Sequence, residues 1–232
     1  MLMRILETNA RHRRHRASGF SLIEMMVVVA ISIIVAVISV FGLMPALKQQ
    51  HVTNAYNTTL SALRQARDNA VSQRTSYSVT FSNSATPNTI VVAPALATGV
   101  TAFTGDQSSV TYALPTDVAF LAQQPAVGST PAPDSSTTTP YFGSGLNSID
   151  FGYTATGNTG GTTATVIYFC PDGSAQVALS CAGGNNWDNG VVYISQSGNL
   201  LSSRAVDVWG GTGRIHGWRL YPTSGGYKWV RQ

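Results

Sequence analysis

The chain has 232 residues, with 14 Lys and Arg against 10 Asp and Glu, a length that allows one stem and one ordinary domain. Five arginines and one glutamate fall before residue 20 and account for the whole net charge of +4, so the rest is neutral and the basic pI is no argument for a nucleic-acid partner. Beyond residue 15 the only histidines are His51 and His216; no metal-ligand cluster, dinucleotide, phosphate-loop or nucleophile-elbow spacing occurs, and no catalytic residue, metal or cofactor is expected.

The first element is a basic segment with Arg4, Arg11, Arg13, Arg14 and Arg16, followed by residues 20–43, nearly all apolar and with one charge, Glu24. About 24 residues at ~1.5 Å each make a helix of roughly 35 Å, enough to cross a hydrocarbon core. The arginines place the N-terminus in the cytoplasm and the remainder outside. A secretory signal carries its small residues after the apolar core, but here Ala17, Ser18 and Gly19 come before it. A cut after Gly19 would leave the helix on the mature protein.

Glu24 needs a reason, since an acid inside a spanning segment costs a few kcal/mol. Ser21 and Glu24 have capping-box spacing and could satisfy amides of the first turn. A second account comes from likeness. The basic leader, Gly19, and Phe20-Ser21-Leu22-Ile23-Glu24 resemble the class III leader of type IV pilins and type II secretion pseudopilins. That resemblance implies cleavage by a prepilin peptidase between Gly19 and Phe20, N-methylation of Phe20, and pairing of the Glu24 carboxylate with a Phe20 amine in a filament. It also implies membrane lipid, an inner-membrane assembly platform and other pilins or pseudopilins as successive partners. An ion pair in such a core penalises loss of either member, which favours one register.

Gly42 and Pro45 predict a bend or local melting. Helical spacing then resumes, with Val52, Tyr56, Leu60, Leu63, Ala66, Ala70 and Val71 on one face and Asn54, Asn57, Ser61, Arg64, Gln65 and Asp68 between them. The period changes near residues 73–76, where Tyr77, Val79 and Phe81 alternate with serines and threonine as a strand. A turn over 83–88 and the run 90–92 complete a hairpin. Helix followed by strands predicts an α+β fold. The spacing from Leu60 to Val71, passing straight into a strand, resembles the GspH/FimT group of minor pilins and pseudopilins. The implied architecture is a type IV pilin-like fold, a long N-terminal helix packed on an antiparallel β-sheet head. Its parts would be a leader (1–19), a membrane and filament-core helix (20–44), an amphipathic half (45–75) and a head (76–232).

Further strands are predicted at 100–103, 110–114, 118–121, 149–153, 165–170, 175–179 and 191–195, all antiparallel. Between 123 and 145 the Pro, Ser, Thr and Gly content predicts an exposed loop. Cys170 and Cys181 would both lie outside the cytoplasm, where a pair usually bonds. A tight turn at Asp172-Gly173 would instead set Cys170 opposite Ala175, so the disulfide needs a looser loop.

No Lys or Arg occurs between Arg74 and Arg204, whereas Arg214, Arg219, Lys228 and Arg231 crowd the tail among Trp209, Trp218, Tyr221, Tyr227 and Trp229. Two readings stand. Val206, Val208, Trp218, Leu220, Trp229 and Val230 could close the sheet with the cations solvated. Alternatively Arg214, His216, Trp218, Arg219, Lys228 and Arg231 could track DNA phosphates and stack on bases. Some FimT-like minor pilins use a C-terminal Gly-Arg-x-Arg element in DNA uptake, and Gly213-Arg214-Ile215-His216 departs from it at the last position. The resemblance implies a non-enzymatic filament subunit of a bacterial type IV pilus or type II secretion system. It would be single-pass in the inner membrane with a periplasmic head before joining a periplasmic or surface filament.

Overall fold

The computed structural model describes residues 19–95, 108–123, 133, 142, 147–153, 164–179, 181 and 187–232. The leader before Gly19, the strand predicted at 100–103 and the Ser/Thr run 135–139 lie outside them. One helix, α1, spans Leu22–Gln73 and carries Pro45 inside it. Helical structure thus continues through Gly42 and Pro45, so of the predicted bend or local melting the melting does not occur. A proline withdraws one donor from the ladder, a small fraction of the bonds in a 52-residue helix. The chain divides at this point into two compact units, one ending at Pro45 and the other beginning at Ala46.

In the first unit the helix is bare: Leu22, Ile23, Met26, Ile33, Ile34 and Ile38 are each at least 60% exposed. Its best window has a mean hydropathy of 3.0 with nothing buried. Ser32 and Ser39 donate their hydroxyls to the carbonyls of Val28 and Val35, at 2.7 and 2.8 Å. Their polar atoms are therefore satisfied within the helix, as an apolar solvent demands.

In the second unit α1 buries Val52, Ala55, Tyr56, Leu60, Leu63, Ala66 and Ala70, the stripe that steps of three and four predict. Val71 is the exception, 46% exposed. The stripe ends at Ala70 because the helix stops three residues later, with Arg74 in a left-handed conformation at φ 52°. The chain turns directly into β1 (Ser76–Ser82), which pairs with β2 (Thr89–Ala95) from Tyr77↔Pro94 to Ser82↔Thr89.

Not one antiparallel sheet but two follow. The first adds β3 (Val110–Ala113), β6 (Val166–Phe169) and β7 (Ala175–Gln176) in the order β3-β2-β1-β6-β7. The second contains β4 (Ala119–Phe120), β8 (Asn189–Gln196), β9 (Asn199–Trp209), β10 (Arg214–Thr223) and β11 (Gly226–Arg231) in the order β11-β10-β9-β8-β4, with β5 (Ile149–Tyr153) also on β8. Val79, Phe81 and Ile167 of one sheet and Val192, Ile194, Val206 and Val208 of the other share a single core with the buried face of α1. The result is an α+β, pilin-like arrangement of helix on antiparallel sheets.

The far side of the second sheet has its own apolar cluster of Phe142, Val191, Tyr193, Ala205, Leu220 and Trp229. Phe142 falls in the segment predicted as an exposed loop, yet it is fully buried, 4.8 Å from the ring of Trp209.

Candidate functional site

The junction residues Gly19, Phe20, Ser21 and Glu24 are all exposed at the start of α1. Ser21 accepts the first backbone bond, from Met25 at 3.2 Å, so it stands where a cap stands. Among the described residues, however, no side-chain hydrogen bond closes the Ser21–Glu24 box that the spacing permits. On the opposite side of the helix from Glu24, Leu22, Met25, Met26, Val29, Ala30 and Ile33 form a continuous apolar face.

Cys170 and Cys181 are joined by a disulfide, with Cα atoms 5.6 Å apart. The predicted facing of Cys170 and Ala175 is wrong by one residue: Phe169 stands opposite Ala175 and Tyr168 opposite Gln176. Cys170 instead opens the turn, its N–H donating to Ser174 and its carbonyl accepting from Gly173. Asp172 fixes that turn by accepting from the Ser174 hydroxyl at 2.6 Å and its N–H at 2.8 Å. Those two bonds, the hydroxyl's first, hold the Asp172 carboxyl below its ordinary range. Because β7 stops at Gln176 rather than running to residue 179, the chain is released from the sheet early enough to bring Cys181 back.

The tail residues do not form one surface. Register places Trp218 opposite Arg231 and Leu220 opposite Trp229, while Arg219 faces Val230 and Tyr221 faces Lys228. Partners in an antiparallel pair share a side. Arg214, His216, Trp218 and Arg231 therefore belong to one side of the second sheet, and Arg219 and Lys228 to the other. His216 and Trp218 are further committed inward by Asp207, which is fully buried. Its carboxylate accepts from the His216 N–H at 3.1 Å and the Trp218 ring N–H at 2.8 Å, with His216 Nδ1 at 3.4 Å. Val206, Val208, Leu220 and Trp229 are buried as a sheet-closing role requires, but Val230 is 40% exposed.

Sequence reasoning missed the residues that hold this region to α1. Arg67 donates to the Thr212 carbonyl at 3.1 Å. Gly213, at φ +57°, leaves no room for a side chain, since a Cβ there would lie 2.1 Å from the Gly173 carbonyl and 2.9 Å from Arg67 Nε. The glycine of the Gly-Arg motif is thereby explained by packing. Near the other end of the second unit His51 Nδ1 lies 2.8 Å from Asp117, which also accepts from Gln196 at 2.7 Å. Asp207 had left one trace in the sequence: it is the lone acid among the tail's cations, between Val206 and Val208 in a strand pattern.

Among the described residues no group of three or more His, Cys, Asp or Glu comes together to hold a metal. Residues 14–40 match the family model described as the prokaryotic N-terminal methylation motif. No curated protein and no solved structure matches the chain. The match spans the end of the basic segment, the Gly19–Phe20 junction and most of the bare helix. It makes the N-terminal part a prepilin-type leader followed by a helix apolar enough to anchor the chain in a membrane.

Proposed function

We propose that this chain is a minor pilin or pseudopilin of the GspH/FimT kind, a structural subunit of a type IV pilus or type II secretion filament. The observation that carries the reading is a methylation motif over residues 14–40 running into a helix that is bare up to Pro45 and, past it, forms the core of a folded head. A prepilin peptidase cuts between Gly19 and Phe20, and the new amine of Phe20 is methylated. The helix rests in the inner membrane with the head in the periplasm, then leaves lipid for the company of other subunits' helices. No new apolar surface has to be created for that exchange, because lipid and neighbouring helices are alike as solvents for it. Glu24, unbonded in its own first turn, pairs with a Phe20 amine and sets the register.

Intact-mass measurement of the chain extracted from membranes tests this. Loss of residues 1–19 with one added methyl group, together with the same species in sheared filaments, is the expected result. A chain that keeps its leader and never enters filaments would be a plain anchored domain, and the proposal would be wrong.

A further inference from the structure

Two hairpin turns of the second sheet point the same way. β9 begins at the β8–β9 turn and β10, antiparallel to it, ends at the β10–β11 turn, so both turns share one end of that sheet. The start of the second unit lies there too. The Gln196 side-chain amide donates to the Lys48 carbonyl at 3.2 Å and to Asp117 at 2.7 Å, and Asp117 also meets His51 Nδ1 at 2.8 Å. At ~1.5 Å per residue Lys48 is roughly 5 Å of helix beyond Pro45. This is the end at which the chain arrives from its bare apolar stretch.

From Asn199 to Arg204 β9 takes five steps where β8 takes two, from Gln196 to Ile194, so β9 bulges out of the ladder. The bulge satisfies its own polar groups: the Ser202 hydroxyl accepts from the Gln196 N–H at 2.9 Å and donates to the Asn199 carbonyl at 2.6 Å. Within it Leu201 is 49% exposed, and Leu47, next to Lys48 on α1, is 53% exposed. One exposed leucine is ordinary. A bulge that presents a leucine beside the point where an apolar helix enters the head is a placed feature.

Charge follows the same polarity. The chain's only lysines are Lys48 and Lys228, and Lys228 stands two residues past the β10–β11 turn, next to the half-buried Tyr227. Asp117 is engaged by His51 and Gln196. Among the described residues the other acidic side chains of the second unit lie toward the far end. Asp188 immediately precedes β8, Asp150 is opposite Val191, and Asp207 is near the end of β9. Asp172 adjoins Gly173, which meets Gly213, and Asp68 adjoins Arg67, which reaches Thr212.

We propose that this end of the second unit, with Leu47, Leu201, Tyr227, Lys48 and Lys228, rests on the bilayer that holds the apolar helix and binds its anionic phospholipid headgroups. The inference rests on the membrane stage of the reading above. Leucine enters the acyl boundary, tyrosine sits at headgroup level and the long lysine stems carry ammonium groups to the phosphates. Lipid is the occupant because the helix that ends a turn away is already solvated by it. The contact holds the head against the membrane until assembly draws the chain out.

The full-length chain in vesicles of phosphatidylethanolamine and phosphatidylglycerol provides the test. A nitrobenzoxadiazole label is placed at Leu201→Cys, at Arg214→Cys on the far end, or at Ile38→Cys in the apolar run, without reductant so that the native disulfide stays closed. Quenching by a nitroxide lipid labelled just below the headgroup should be about threefold stronger at 201 than at 214. A label at Lys228→Cys, on a different strand, should repeat that result. Lys48→Gln with Lys228→Gln should lower quenching at 201 about twofold or more, and should not change it in phosphatidylcholine vesicles. Quenching at 201 and 228 no stronger than at 214, with Ile38 still quenched, would overturn the inference. So would a signal at 201 that disappears as the chain is diluted in lipid, which marks a second copy as the occupant. An unquenched label at Ile38 would refute the membrane reading itself and the inference with it, a result distinct from the other two.

Discussion

The helix changes company at Pro45. Before it, from Leu22 onward, bulky side chains such as Ile31, Ile34 and Val37 are half exposed or more; after it, Val52, Ala62, Leu63, Ala66 and Ala70 are completely covered. Secondary structure is the same on both sides, so helix formation explains neither environment. What differs is pattern. Residues 25–44 are apolar all round, which suits a surrounding of lipid or other helices. Residues 46–73 alternate a greasy stripe with Asn54, Asn57, Ser61 and Asp68, which suits one covered face and one wet face. Among the described residues nothing covers the apolar side chains of the first half, whereas the stripe of the second is covered by the chain's own sheets.

Glu24→Ala strikes the first half alone and should have the largest effect. If, as proposed, the carboxylate pairs with a Phe20 amine in a filament, its removal leaves that amine unpaired, a loss of about 3 kcal/mol and so roughly a hundredfold in occupancy. Cleavage after Gly19 and the melting temperature of the head should not change. Filament occupancy by immunoblot and intact mass on the same preparation check both halves of the statement, and unaltered occupancy would remove Glu24 from assembly.

The converse attack uses the disulfide. Replacing both Cys170→Ser and Cys181→Ser releases a loop closed over a separation of 11 residues, with an expected loss of about 3 kcal/mol by loop-closure entropy. Denaturant unfolding of the full chain in detergent measures it. Membrane retention should be untouched, since the apolar segment lies outside the closed loop. A third substitution, Gly217→Ala, sharpens the contact between the second half and its sheet. A Cβ there would sit 1.7 Å from the Tyr56 hydroxyl oxygen, so the buried Tyr56 ring, the helix or the strand must shift, at about 2 kcal/mol.

Legibility followed the same division. The bare helix, its junction and the β1–β2 hairpin could be read directly, because each rests on a local period that its environment enforces. β9 could not be traced in the same way: residues 202–208 are buried on both sides, so alternation between polar and apolar carries no signal there. The tail misled for a related reason. Arg214, His216, Trp218 and Arg219 look like one basic aromatic patch in sequence, but a strand sends neighbours to opposite sides, and only the register with Asp207 shows which of them turn inward. Val71 was misplaced because periodicity does not announce where a helix stops.

The smallest expected effect separates the turn at Cys170 from the bond that closes it. Asp172 is held below the ordinary carboxylate range chiefly by the Ser174 hydroxyl. The unfolded chain therefore takes up that proton at a higher pH than the folded one, and the carboxylate's contribution, fully present above about pH 4, is lost as pH falls through the lowered value. Asp172→Asn should flatten this acid limb of the unfolding profile and lower neutral-pH stability by the same small amount, since an amide oxygen accepts from Ser174 without the charge. The group is mostly solvated, so the slope change is smaller than the losses from Gly217→Ala or the cysteine pair. An acid limb as steep in Asp172→Asn as in the wild type would place the acid sensitivity of the head elsewhere than in this turn.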